Sequence, residues 1–120
     1  MRHRMKKFGH FKTKDIDHRD SMIRNLLTSF FLHSEIVTTE KRALAISGKI
    51  DKLINIANEG NQLNAIREIG SILFTKESSV LLFERAAKFK DRKSGFSRIT
   101  PIKYRDGDSA KLVKIELIEA

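Results

Sequence analysis

A chain of 120 residues, 40% hydrophobic and 32% charged, is the size of a single soluble domain with one core and an ionic surface. Its formal charge of +9 favours a polyanionic partner, nucleic acid ahead of an anionic membrane. The lack of cysteine excludes disulfides and thiolate metal sites. The lack of any long apolar run excludes a membrane span or secretory signal, so a cytoplasmic setting is expected.

The charge is unevenly spread. Met1 to Arg19 holds Arg2, Arg4, Lys6, Lys7, Lys12, Lys14 and Arg19 against Asp15 and Asp17, a local balance of +5. No apolar periodicity begins before Ile16, so this stretch has nothing with which to build a core. Residues 1–15 are therefore expected to form a basic RNA-binding extension that orders against a polyanion. Phe8 and Phe11 within it would stack on unpaired bases or pack on the domain. Residues 16–120 are expected to form a single α+β domain.

Met22, Ile23, Leu26, Leu27, Phe30 and Phe31 recur at helical spacing and predict a helix over His18–Leu32, with Asp17 as its N-cap. Glu35 to Thr39 is short and β-branched and predicts a strand. Thr39 then caps a second helix whose inward stripe is Ala43, Ile46, Ile50, Leu53 and Ala57, widened by Leu44 and Ile54. Gly48 inside it marks either a close helix contact or a tolerated position on the wet face. Gly60 suits the left-handed position that ends this helix. A third helix, about Gln62–Leu73, is expected to bury Leu63, Ile66, Ile69 and either Ile72 or Leu73. Thr75 caps a fourth, reaching about Phe89, with Val80, Phe83 and Ala87 inward.

The pattern changes at Lys90. Phe96 to Tyr104 reads as a strand broken by Pro101, which cannot donate to a ladder and so demands an edge or a bulge. Asp106-Gly107-Asp108 is a turn signal, and Val113, Ile115 and Leu117 alternate with Lys114 and Glu116. These two strands predict an antiparallel hairpin, which the first strand joins through a helical crossover.

Residues 20–87 are neutral overall, whereas Lys88 to Arg105 carries seven cations against Asp91, a balance of +6. Lysine and arginine contacts to phosphate release counterions and give affinity that does not depend on sequence. The run Arg92-Lys93-Ser94-Gly95-Phe96-Ser97-Arg98 adds an aromatic and a glycine, the latter serving either a close phosphate approach or a turn. His3, His10 and His18 are scattered without metal-ligand spacing, so no metal is expected, and contact with RNA is the better role for them. No nucleophile elbow, phosphate loop, dinucleotide motif or paired carboxylates occur, so neither an enzyme nor a cofactor nor a small-molecule substrate is expected. A free basic nucleic-acid chaperone or DNA-binding protein shares the charge pattern, and a small hydrolase or nuclease would need groups that are not evident.

Several segments together resemble the bacterial-type large-subunit ribosomal protein family numbered seventeen. They are Met1-Arg2-His3-Arg4, His18-Arg19, Arg24-Asn25-Leu26, His33 followed by Thr38-Thr39, and Lys52-Leu53-Ile54-x-Ile56-Ala57. Towards the end come Asp91-Arg92-x-x-Gly95-Phe96-Ser97-Arg98-Ile99, Arg105-x-Gly107-Asp108-x-Ala110 and Ile115-Glu116-Leu117. The likeness spans the chain in order. It departs at Phe8 and Phe11, where members often carry arginine and glycine, and at residues 61–67, which lack the usual paired arginines. The resemblance implies a helix, a strand, three helices and two strands around a small three-stranded mixed sheet. It also implies a structural, non-catalytic constituent of the large ribosomal subunit, near the peptide-exit side, whose partners are large-subunit ribosomal RNA and neighbouring ribosomal proteins. RNA is expected to be bound through the basic N-terminal arm and a basic C-terminal hairpin, the residues being Arg2, His3, Arg4, Lys6, Lys7, Lys12, Lys14, His18, Arg19, Arg24, Arg92, Lys93, Arg98 and Arg105.

Overall fold

The computed structural model describes residues 15–118. In chain order they form α1 (Ile16–His33), β1 (Glu35–Thr39), α2 (Glu40–Ala57), α3 (Gln62–Ile72), α4 (Lys76–Ala86), a 3-10 turn (Ala87–Phe89), β2 (Ser97–Tyr104) and β3 (Lys111–Leu117). The α+β order of elements is the predicted one. The arm ahead of Asp15 lies outside the described residues.

Helix α1 starts two residues earlier than the periodicity predicts. Asp15, rather than Asp17, is its N-cap, its Oδ1 accepting from the His18 amide at 2.8 Å. Asp17 sits instead in the first turn, where a carboxylate complements the helix dipole. The helix ends at Ser34, whose φ of 68° is left-handed and whose N–H reaches the Phe30 carbonyl at 2.7 Å. Leu27, Phe30 and Phe31 are buried from this helix, the two rings meeting edge to face at 5.2 Å.

Helix α2 buries Ala43, Ile46, Ile50, Leu53 and Ile54 as its stripe predicts, while Leu44 turns to solvent. Gly48 is exposed with open space around its Cα, so it is the tolerated wet-face glycine and not a helix contact. The expected left-handed Gly60 is absent too: among the described residues the positive-φ glycines are Gly95 and Gly107, and α2 ends at Asn58, whose N–H reaches back to Ile54 and Asn55. Helices α3 and α4 are rotated from expectation. In α3 Ile69 and Leu73 are buried as expected, but Ala65 joins them in place of Leu63 and Ile66, which are more than half exposed. Along α4 the inward positions are Ser78, Leu82 and Ala86, with Phe83 partly buried and Val80 and Ala87 outside. Thr75 caps α4 as predicted, its Oγ1 accepting from the Ser78 amide.

The three strands lie in the order β1-β3-β2. Both pairings are antiparallel, so the sheet is not mixed. The crossover expected from β1 is real, but it passes beyond the central β3 to the far edge. Strands β1 and β2 thus share a direction without touching, and β3 opposes both. Pro101 sits on the edge strand β2, and the register shifts between Pro101 and Lys103, so the edge and the bulge it called for are both present. Val113 and Ile115 of β3, together with Phe96, close the core beneath the helices.

Candidate nucleic-acid interface

The basic turn between α4 and β2 is built on two buried aromatics. Phe89, at the end of the 3-10 turn, and Phe96, at the entry to β2, are 2% and 0% exposed and meet edge to face at 5.2 Å. Every residue from Lys90 to Gly95 lies exposed between them. The backbone is fastened at several points. The Arg92 amide donates to the Phe89 carbonyl at 3.0 Å. Asn55 Nδ2 donates to the Lys93 carbonyl at 2.9 Å. Asp51 accepts from the Gly95 amide at Oδ2 (3.3 Å) and from the Phe96 amide at Oδ1 (3.2 Å). Gly95 has φ +71°, a conformation that favours glycine, so it serves as the turn residue with its N–H already taken.

Of the predicted cations, Arg92 and Lys93 stand on this turn, and neither has a carboxylate within 4.0 Å among the described residues. The same holds for Lys88, Lys90 and Lys103 of the same basic block. Arg98 lies on the outer sheet face opposite Glu116, at 3.6 Å, with 60% of its side chain exposed. Beside it Lys114 reaches Glu35 at 3.4 Å and Glu116 at 3.6 Å, and the hydrogen bond it donates to Glu35, with the field of Glu116, raises the pKa of its ammonium. Lys111 is paired likewise with Glu40 across 3.0 Å. The outer sheet face is thus an alternation of opposite charges.

At the hairpin tip Arg105 is engaged with Asp108, Nε to Oδ1 at 3.1 Å and Nη2 to Oδ2 at 2.6 Å. These bonds, with the Ala110 amide on Oδ1, hold the Asp108 carboxyl down to about 2. Arg105 therefore shapes the tip and brings little uncompensated charge. Arg24 is a fastening between elements: its Nε donates to the Ile72 carbonyl at 2.8 Å and its guanidinium lies 4.1 Å from the centre of the Phe74 ring. Thr28, one helical turn on, donates to the Arg24 carbonyl and accepts from the Phe74 amide, completing the joint between α1 and the chain after α3. His18 is exposed and Arg19 half-buried in the first turn of α1, beside the point where the arm joins. Arg2, His3, Arg4, Lys6, Lys7, Lys12 and Lys14 lie outside the described residues.

Sequence reasoning missed the post that holds the turn. Asp51 and Asn55 are one helical turn apart on α2, within a stretch whose charges cancel, and only the fold brings them under residues 93–96. It also passed over Lys49 and Lys52, exposed on the same helix, because the neutral average of that stretch hides them. Among the described residues no group of three histidine or carboxylate side chains is placed to hold a metal ion, and no helix is long and apolar enough to cross a membrane.

A family model described as Ribosomal protein L17 matches residues 22–118, from the second turn of α1 to the residue after β3. The chain belongs to the ribosomal protein L17 family. It is 41% identical over 119 residues to the large ribosomal subunit protein bL17 of Desulforapulum autotrophicum, covering 98% of this chain and 97% of that one. The bL17 proteins of Magnetococcus marinus and Desulforudis audaxviator are each 39% identical, over 121 and 103 residues. Those alignments cover 99% and 85% of this chain, and 94% and 91% of the two relatives. The region that the L17 family model matches contains the basic turn, both aromatics that brace it, and the Asp51–Asn55 post. The L17 family is one of structural ribosomal proteins, not of enzymes.

Proposed function

We propose that this chain binds large-subunit ribosomal RNA through a basic arm over residues 1–15 and through the turn at residues 88–95, on a single domain spanning residues 16–120. Family membership makes it a large-subunit ribosomal protein, with ribosomal RNA and other ribosomal proteins as neighbours. The observation that carries the RNA-binding reading is the exposed turn Lys90–Gly95. Arg92 and Lys93 project there from a fastened backbone with no carboxylate to neutralise them among the described residues. Arg2, His3, Arg4, Lys6, Lys7, Lys12, Lys14, His18 and Arg19 extend the cationic surface from the arm into α1. Arg98 contributes from the sheet, its pairing with Glu116 loose enough to exchange for phosphate. Arg24 and Arg105, each already held by internal partners, contribute least. The family resemblance supports a position near the peptide-exit side, and cross-linking from the turn to ribosomal RNA in assembled subunits tests it.

Binding of the full-length chain to protein-free large-subunit RNA, followed across potassium chloride concentrations, tests the main reading. Log affinity should fall linearly with log salt, with a slope of about −0.7 to −0.9 for each phosphate contacted. Failure to bind at low ionic strength, or affinity indifferent to salt, would overturn it.

A further inference from the structure

Asp51 sets a carboxylate beneath a turn that is proposed to grip phosphate. By charge alone it opposes binding, and its removal should strengthen the complex. The geometry gives it a different task. Its two oxygens accept from successive amides, Gly95 and Phe96, while Asn55, one turn along α2, donates to the carbonyl of Lys93. Donor and acceptor groups at both ends of the segment 93–96 are therefore held by side chains of one helix. That helix is itself immobilised, with Ile50, Leu53 and Ile54 at most 1% exposed.

We infer that Asp51, supported by Asn55, is a positioning residue for RNA binding: an internal anion that occupies the turn's amides and fixes the backbone from which Arg92 and Lys93 meet phosphate. The inference rests on the reading of this turn as an RNA contact. A turn released from α2 would have to be ordered by the RNA, and the conformational entropy lost in doing so weakens the complex. Charge and positioning thus make opposite predictions for the same substitution.

Asp51→Asn keeps the shape, removes one negative charge, and turns one of the two acceptors into a donor facing an amide. In binding of the full-length chain to protein-free large-subunit RNA, positioning predicts affinity weaker by at least about fivefold, despite a more positive protein. Asn55→Ala leaves the charge unchanged and should weaken binding by about two- to threefold. Both losses should disappear when Arg92 and Lys93 are first replaced by alanine, since the two cations that the post positions are then gone. A general loss of structure would persist in that background. The inference is overturned if Asp51→Asn binds as tightly as the unaltered chain or tighter, or if its loss is the same with and without Arg92 and Lys93. Should Asp51→Asn fail to give a cooperative melt, the Asn55→Ala comparison in the two backgrounds decides. Absence of RNA binding by the unaltered chain would instead remove the reading of the turn itself.

Discussion

Among the described residues two exposed turns each carry an arginine, a glycine at positive φ and an aspartate that accepts from the backbone, yet they differ in what becomes of the cations. At residues 90–95 the aspartate comes from a distant helix, and it engages only backbone. Arg92 and Lys93 are left without a carboxylate among the described residues. At residues 105–110 the aspartate is local, and Asp108 takes the Arg105 guanidinium as well as the Ala110 amide. One turn is shaped by the fold and keeps its charge for a partner; the other shapes itself and uses its charge in doing so. The presence of an arginine beside a glycine and an aspartate does not distinguish them.

The comparison breaks most severely where the first turn meets the core. Phe96 is fully buried against Phe89, and its amide is one of the two that Asp51 holds. Phe96→Ala should cost about 3–5 kcal/mol, read from urea unfolding, through lost burial and the cavity left behind. The second turn has no such anchor: Tyr104, which enters it, is 67% exposed. Tyr104→Ala should therefore change stability by no more than about 0.5 kcal/mol. Equal losses at the two positions would show that the turns are not anchored differently.

To weigh the two turns against each other, the arm has to be removed. Deleting Met1–Lys14 takes away six of the cations expected to meet phosphate, and should weaken RNA binding by about 100-fold or more at moderate salt. Melting should not change, because Asp15 remains to cap α1. Extending the deletion through Asp15 should lower stability by about 1 kcal/mol, the usual worth of an N-cap, without further loss of RNA affinity beyond that of the unfolded fraction. If the shorter deletion also lowered the melting temperature, the arm would be packed on the domain.

In that shortened chain the difference between the turns becomes readable. Replacing Arg92 and Lys93 together by alanine should weaken binding by about tenfold and flatten the salt slope by roughly 1.4 to 1.8, the share of two phosphate contacts. Arg105→Ala should change both far less, because its guanidinium is occupied by Asp108. A slope that fell equally for the two would place both turns on the RNA.

How far these features were legible in the sequence follows from the distance over which each is decided. The charge blocks, the final hairpin, the Thr75 cap and the consequences of Pro101 are local, and each was readable from neighbouring residues. Helix faces were readable where the apolar stripe is long, as in α1 and most of α2. They were not in the 11-residue α3 and α4, which carry apolar residues on two sides. There Ala65 with Ile69 is as regular as Leu63 with Ile66, and packing against α2 and α1 chooses between them. The partner of β1 was equally open, since nothing local says which of two later strands it will join. The roles of Asp51, Asn55 and Arg24 depend on contacts reaching about 40 residues along the chain or more. A polar residue's own position on a helix gives no sign of such a contact.

The smallest expected effects lie in the hairpin tip, and they carry the opposite sign to those in the basic turn. The Asp108 carboxyl is held at about 2, below its ordinary value near 3.8, chiefly by its bond from Arg105. A depressed folded pKa means that the pairing contributes fully above about pH 4 and is lost as the pH falls towards 2. A carboxyl titration followed by NMR should show Asp108 titrating in that window, with the Arg105 Nε–H signal moving in step. At neutral pH, Asp108→Asn removes the anion that occupies Arg105 and should strengthen RNA binding slightly, by about twofold or less. The corresponding change at Asp51 is expected to weaken it. Both substitutions add the same charge to the same protein, so stronger binding from both would mean that net charge governs binding and that neither turn is specifically shaped for it.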